Sequence, residues 1–524
     1  MDTDVLVVGA GPTGLMLANQ LARRGVRPMI IDRHTGPSVE TRALGVQART
    51  LEIYAHLGIV GEALELGKRA TGAQMWARGR PVARVPLGDI GRGVSPYPFL
   101  LILGQDDNER LLGDALRQRG LGVRWNAELV ALAQHADCVI ATVRHANGTT
   151  EDVTAAWVAG CDGARSAVRD LNGIAFQGAP YEHVFFVADT VVTGPMAPDM
   201  LNVYLWPDGF HLFFPMRGAD HWRIVGIVPP PLRGRDDLAL DHVAPSIRQE
   251  AGSGVSLRSC SWFSTYRIHH RKAARFRDRR CFLLGDAAHI HSPVGAQGMN
   301  TGLQDAYNLA WKLALVVSGD AGAGLLDSYE AERVPVATRL LSTTDRMFTL
   351  IVSDRRLAGL LRTLVAPKVL AAAMHLRAIQ ELAFRTISQT GIRYPESPLS
   401  EALPGLSDGA PRCGDRFPWL TLRLSADGPI EDLFDRLDDT RFTLLVIGQA
   451  APPDGLAGLG DLLNTHVIPN DPVNARELAR AKIREPAFYL LRPDGHVGLC
   501  GTVIATGELT RYLSQRLHLR VRPA

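Results

Sequence analysis

Apolar positions group into short runs near the N-terminus. Asp4 to Gly9 (DVLVVG) is β-branched and ends in glycine, and Pro28 to Asp32 (PMIID) is a second such run. Between them, Leu15 to Arg24 carries apolar residues at helical spacing, with Gly25 as C-cap. Strand, glycine turn, helix, strand predicts a βαβ unit with parallel pairing and a right-handed crossover. Residues 181–226 read differently. Val184 to Val192, Leu201 to Trp206 and His211 to Pro215 are rich in Phe, Val and Trp, with Pro207, Asp208 and Gly209 as turn residues. That pattern predicts an antiparallel sheet. A buried strand returns at 281–287 (CFLLGDA). From Gly302 to about Gln389 the pattern is helical, with breaks expected at Pro335 and Pro367. Pro, Gly and Asp then dominate up to Pro418, which reads as a linker. Beyond it come a strand at Arg441 to Gly448, a hairpin at Phe488 to Cys500 around Pro493-Asp494-Gly495, and a helix at Glu508 to Leu517. These predict a small separate α/β domain. No internal repeat is visible.

Composition narrows the function classes. Lys plus Arg number 57 against 54 Asp plus Glu, so no polyanion-binding face is expected. The basic stretch Arg271 to Arg280 reads as a solvated connector. Six cysteines without a C-x-x-C pair argue against a disulfide framework or zinc site and fit a reducing cytosol. No run reaches ~18 uncharged apolar residues, and no targeting segment precedes the first strand, so a cytoplasmic enzyme is expected.

Gly9, Gly11 and Gly14 form G-x-G-x-x-G, with Pro12 and Thr13, between the first strand and its helix. The first glycine permits a tight turn, the second lets backbone approach a pyrophosphate, and the third allows close helix–strand packing. Asp32 ends the second strand 18 residues after Gly14, placed for ribose hydroxyls, and Arg33 follows it. The set predicts a dinucleotide site in a Rossmann-like domain. Gly455 to Gly460 is also glycine-rich but follows no strand. His289 and His291 lack a third ligand in spacing, so no metal is expected. His269-His270 is equally bland.

Two further segments carry a resemblance. GCDGARSAVR (160–169) and GDAAHIHSPVGAQGMNTG (285–302) resemble the DG and GD motifs of group A flavoprotein monooxygenases. This is the class of p-hydroxybenzoate and phenol hydroxylases, and the sequence is similar to members acting on phenylpropionates, resorcinols and polycyclic polyketides. The resemblance covers roughly residues 1–400. A weaker one links the tail to the thioredoxin-like domain of phenol-hydroxylase-type members. It implies FAD, held non-covalently, and NADPH or NADH as transient reductant. Asp286, after Gly285, would bind the ribityl hydroxyls. Gly298, Met299 and Asn300 would reach the flavin's pyrimidine edge, with Gly295 in the same loop and Pro293 on the substrate side. Gln105 and Arg42 would contact the ribityl–pyrophosphate region. Asp162, Gly163 and Arg165 would serve FAD and reductant approach. Leu284 and Ala296 depart from the family, where Ala and Gly are commoner.

The implied fold is an FAD-binding domain at 1–180 and 270–395, a β-sheet substrate domain at 181–269, a linker at 396–418, and a thioredoxin-like domain without C-x-x-C at 419–524. The implied reaction hydroxylates a phenolic or polycyclic aromatic through a flavin C4a-hydroperoxide, using O₂. Epoxidation or ring-opening oxygenation on the same scaffold is the alternative, and a non-catalytic flavin-binding protein is the different class. Phe185, Trp206 and Phe213 are expected to line an apolar substrate pocket. No side chain stands out as a base; Tyr204, His211 and Tyr266 are candidates. Cys413 and Cys500 lie 87 residues apart, which suggests a structural or dimerisation role for the tail rather than thiol chemistry.

Overall fold

The computed structural model describes residues 1–38, 43–206, 209–235, 237–252, 254–291, 297–352, 363, 365–425, 427–452 and 457–520. The fold is mixed α/β. Its first sheet runs Arg277–Asp278, Cys281–Leu283, Thr150–Gly160, Thr3–Val8, Pro28–Asp32, Val123–Trp125. All neighbours after the first pair are parallel. Parallel strands are covered on both faces, so they read as continuous apolar runs. Val5, Leu6 and Val7 are accordingly fully buried. Helix Pro12–Ala22 supplies the predicted crossover; its C-cap is Arg23, and the expected cap Gly25 follows in the turn at φ +75°. Asn19 donates to Leu112 O in helix Gln105–Gln118, at 2.8 Å, locking the two helices together.

The second sheet has eight strands: His289–Ile290, Ser256–Ala273, Phe176–Thr193, His221–Ile227, Gly209–Pro215, Met200–Trp206, Gly72–Ala77 and Arg80–Pro86. The predicted antiparallel strands are present. The last two come from inside the segment expected to belong wholly to the first domain. They form a hairpin turning at Arg78 and Gly79, with φ of 52° and 69°. Two positive φ values at a two-residue turn suit the twist of a hairpin. Gly72–Ala77 then pairs in parallel with Met200–Trp206.

The third sheet runs Glu401–Ala402, Val497–Gly501, Ala487–Leu491, Phe442–Ile447, Leu463–Ile468. It is not separate from the rest. Trp311 and Leu315 of helix Gly298–Val317 share one buried cluster with Phe442, Leu444, Phe488 and Leu490. The stretch expected as linker is also built in. Glu401–Ala402 is a strand of this sheet, and Gly414 N and Phe417 N donate to Val497 O and Gly495 O at 2.7 and 3.0 Å. The hairpin tip is buried: Asp494 is 2% exposed and accepts from Trp311 Nε1 at 3.2 Å. Arg492 donates to Glu332 at 2.5 and 3.0 Å, and Lys312 to Glu332 at 2.7 Å, all three fully buried. Buried charges persist only when paired this closely.

The long helical region divides differently from expectation. Helix Asp327–Val352 runs through Pro335 rather than ending there. Pro367 sits in the first turn of helix Ala366–Ala373, where a missing N–H costs no hydrogen bond.

Candidate flavin and substrate site

The glycine turn leaves room where a dinucleotide needs it. Gly9 has φ +103°, and a Cβ there would lie 2.4 Å from Cys161 O. A Cβ on Gly14 would lie 1.9 Å from Gly9 O. The protein itself therefore demands the first and third glycines. Gly11 differs: a Cβ there meets nothing within 4 Å among the described residues. It caps helix Pro12–Ala22 without any side-chain cap, so the helix N-terminus opens onto that space. Such a terminus attracts an anionic pyrophosphate. Asp32 is 9% exposed and aims at the turn. Its Oδ2 accepts from Ala10 N at 2.7 Å, and its Oδ1 accepts from His34 N at 2.8 Å. These bonds fix the carboxylate's orientation and leave it lone pairs for sugar hydroxyls. Arg33 is exposed beside it.

Thr13 joins this turn to the GD segment. A Cβ on Gly285 or Gly302 would come within 2.7 or 2.4 Å of Thr13 Oγ1. Gly285 has φ +57° and donates its N–H to Asp305 Oδ2 at 3.0 Å. Asp305 also takes His289 Nε2 at 2.8 Å and Arg333 Nε at 2.6 Å. Burial pushes this carboxyl upward, but Arg333 and His289 outweigh it and hold it below the ordinary range. The turn therefore rests on a buried, ionised clamp, with Asp286 exposed at its crest. His289 is committed to Asp305. No group of three His, Cys, Asp or Glu able to hold a metal occurs among the described residues.

Asp162 of the DG segment accepts from Val168 N at 3.1 Å, and burial pushes its carboxyl upward. Gly163 has φ +76°, and Arg165 is exposed. Arg169 links the two segments by donating to Ala164 O at 3.1 Å and Ala287 O at 3.2 Å.

Helix Gly298–Val317 starts at the same end of the fold, again without a side-chain cap. Asn300 fixes it there. Its Oδ1 accepts from Gln47 N at 2.9 Å and Thr50 Oγ1 at 2.7 Å, and its Nδ2 donates to Gly45 O at 2.8 Å. Met299 Sδ lies 3.2 Å from Asn108 Nδ2. Gln105 is half-buried in the first turn of its helix and donates to Glu109 at 2.8 Å. Among the described residues a Cβ on Gly298 would meet the His291 ring, at 3.4 Å, with no positive φ. Its glycine is thus not required by backbone strain. Arg42, Pro293 and Gly295 lie outside the described residues.

The second sheet presents two distinct faces. Tyr204 and Phe213 are buried in a cluster with Val243 and Ile247 of helix Leu240–Ala251. His211 alternates with Phe213 on this face, and Trp206 lies 4.3 Å from the His211 ring. On the opposite face, Phe185, Leu205, Phe210 and Ile227 cluster with Tyr266. Leu201 and Phe214, on that same side, pack against Leu44, Ala70 and Ile102 of the first domain. This is the face turned toward Gly45 and Asn300. Phe185 and Tyr266 lie on this face. Tyr204, Trp206, His211 and Phe213 lie on the opposite face, beside helix Leu240–Ala251. Among the described residues, neither His211 ring nitrogen nor Tyr204 Oη has a hydrogen-bond partner. Burial pushes the His211 imidazole down to about 3. Burial pushes Tyr266 up to about 12, so its hydroxyl stays protonated and acts as a donor.

The expectations had omitted several residues near this region. Arg223 and Asp189 form a paired cross-strand bridge at 2.6 and 2.5 Å on the same face as Phe185, with the Arg223 guanidinium 5.2 Å from the Trp262 ring. Asp305 and Asn300's side chain were also missed. An acid inside the apolar helix LQDAYNLAW was the readable signal for Asp305.

The open Gly11 space, two uncapped helix starts and the Asp32 and Asp286 carboxylates fit FAD. Residues 2–344 match the model of the FAD binding domain family. The chain is 35% identical to 6-methylpretetramide 4-monooxygenase of Streptomyces rimosus, over 98% of this chain and 93% of that protein. It is 33% identical to pentachlorophenol 4-monooxygenase of Sphingobium chlorophenolicum, over 85% and 80%. The solved anhydrotetracycline hydroxylase from Streptomyces rimosus superposes with a TM-score of 0.80 at 30% identity, over 100% of both chains. The chain belongs to the FAD binding domain family and is an FAD-dependent aromatic monooxygenase.

Proposed function

We propose that this enzyme is a single-component hydroxylase of a phenolic, polycyclic aromatic substrate, using NAD(P)H and O₂. The apolar wall of Phe185, Leu205, Phe210 and Tyr266 facing the cofactor cradle carries this reading. The names of the relatives, which include tetracyclic substrates, favour a large flat ligand. Bound FAD supplies hydride acceptance and oxygen activation. The chain does the rest. The turn at Gly9, Gly11, Pro12, Thr13 and Gly14 would hold the pyrophosphate, and Asp32 with Arg33 the adenosine ribose. Asp286, Gln105 and Arg42 would hold the ribityl chain. Asp162, Gly163 and Arg165 would border the cofactor where the reductant approaches. Gly295, Gly298, Met299 and Asn300 would bring main-chain N–H groups to the flavin edge, and the positive helix end would favour negative charge there.

Phe185 and Pro293 would line the substrate cavity. Tyr266 would donate a hydrogen bond to a substrate oxygen, and the Asp189–Arg223 bridge would anchor the polar end of the wall. Apolar side chains around the reacting carbon exclude water and favour coupling. The C-terminal sheet, with one parallel and two antiparallel pairs at its centre, supports a thioredoxin-like reading of the tail. Among the described residues no helix is long and apolar enough to cross a membrane. The test is FAD content and substrate-dependent NAD(P)H oxidation in Asp286→Ala and Tyr266→Phe. Asp286→Ala should lose FAD. Tyr266→Phe should keep FAD and raise KM for a phenolic substrate more than it changes reductant use. Unchanged occupancy in the first and unchanged KM in the second would refute the two assignments.

A further inference from the structure

Two cysteines that look unrelated in sequence meet in the third sheet. Cys413 Sγ and Cys500 Sγ lie 2.9 Å apart, both as free thiols. Cys500 is on strand Val497–Gly501 and fully buried; Cys413 is 8% exposed and lies at the rim of the same apolar cluster. Their surroundings are fixed. Cys413 Sγ donates to Glu401 O at 2.6 Å, and Ala402 pairs with Cys500 across the adjoining strands. Gly414 N donates to Val497 O at 2.7 Å, so the backbones beside both thiols are already joined. Closing from 2.9 Å to a bond of about 2.05 Å needs little backbone movement.

We propose that Cys413 and Cys500 form a modification site that peroxide converts from dithiol to disulfide. The oxidant is hydrogen peroxide. The Cys413 sulfur, at the rim, attacks one peroxide oxygen as the O–O bond breaks. It becomes a sulfenic acid, and the other oxygen leaves as water. Cys500 sulfur then attacks the Cys413 sulfur, its proton goes to the departing hydroxyl, and a second water leaves. Two thiols lose two electrons and one peroxide gains them. The hydrogen bond to Cys500 and burial hold the Cys413 thiol well above its ordinary range, so it is slow toward peroxide as toward general thiol reagents and the site reacts only at high or prolonged peroxide exposure. The adjacent thiol, not an acidic one, selects the product. Elsewhere, Cys260 is exposed and Cys138 half-buried, and neither has a thiol partner among the described residues. They should give sulfenic or higher acids, without an internal bridge.

The bridge would fall where the tail grips the flavin domain. Arg416, three residues past Cys413, donates to Glu52 of helix Ala48–Leu57 at 2.9 Å. Oxidation would clamp this segment onto the Val497–Gly501 strand and resist detachment of the tail.

The FAD-loaded enzyme is treated with graded hydrogen peroxide, denatured in alkylating reagent, and mapped without reduction. The expected result is a linked Cys413–Cys500 peptide, two hydrogens lighter than its parts and released by dithiothreitol. Limited proteolysis within 403–420 should slow in the oxidised protein. Cys413→Ser and Cys500→Ser should each abolish the linked peptide, and wild-type mapping decides the matter even if neither variant folds. Full alkylation of Cys413 and Cys500 after prolonged exposure to excess peroxide that has completely oxidised Cys260 would overturn the proposal. So would a bridge from either residue to a different cysteine.

Discussion

His211 makes the far face of the second sheet sensitive to acid. Its ring is fully buried between Trp206 and Phe186, 4.3 and 5.6 Å away, without a hydrogen-bond partner among the described residues. Burial pushes it from an ordinary 6.5 down to about 3. In the unfolded chain it takes a proton below 6.5; in the folded chain it does so only near 3. Between those values the unfolded state binds more protons, so stability falls as pH falls. At about 1.36 kcal/mol per unit, the 1.5 units between 6.5 and pH 5 cost about 2 kcal/mol. His211→Leu removes the titrating group and fills the site with apolar atoms, which is neutral or stabilising for an unpartnered buried polar group. Urea unfolding read by tryptophan emission at pH 7.5 and 5.0, in both proteins, measures the effect. The wild type should lose about 2 kcal/mol more than His211→Leu between the two values. Parallel losses would refute the buried, unpartnered placement. Retained hydroxylation in His211→Leu at pH 7.5 would agree with the ring's position away from the pocket.

Further outcomes follow from the same geometry. Gly9→Ala puts a Cβ 2.4 Å from Cys161 O at φ +103°, so FAD affinity by fluorescence titration should fall about tenfold or more. Gly298→Val keeps its backbone unstrained but crowds the proposed flavin edge, so the ratio of peroxide released to NAD(P)H consumed should rise. Glu332→Ala strips Lys312 and Arg492 of a shared buried partner; a loss of about 3–5 kcal/mol should appear as a lower Tm and faster proteolysis of the tail.

The nucleotide-binding turn was legible because its chemistry is local. Glycines, a β-branched strand and a strand-end Asp32 all fall within one βαβ unit. The pocket wall was less legible for a specific reason. Side chains alternate along a strand, so a one-residue shift exchanges the faces. Trp206, His211 and Phe213 are as aromatic as Phe185, Phe210 and Phe214. Only the docking of helix Leu240–Ala251 decides which set that helix covers. The 72–86 hairpin was hidden because its partner strand begins at Met200, far along the chain. The tail's attachment was hidden in the same way. Arg492 and Glu332, or Arg416 and Glu52, are ordinary surface-type residues in sequence and become buried pairs only when the sheets meet. Cys413 and Cys500, read as unrelated by separation, are neighbours for that reason too.

The central claim is that NAD(P)H, O₂ and an aromatic substrate meet in this one chain to give a hydroxylated product. It is tested by turnover under ¹⁸O₂ with a polycyclic phenol, following NAD(P)H loss, peroxide and product mass together. The account predicts substrate-dependent NAD(P)H oxidation, one ¹⁸O atom in each product molecule and little free peroxide. NAD(P)H oxidation that ignores the aromatic compound and appears entirely as peroxide, with no labelled product across a panel of phenols, would contradict it.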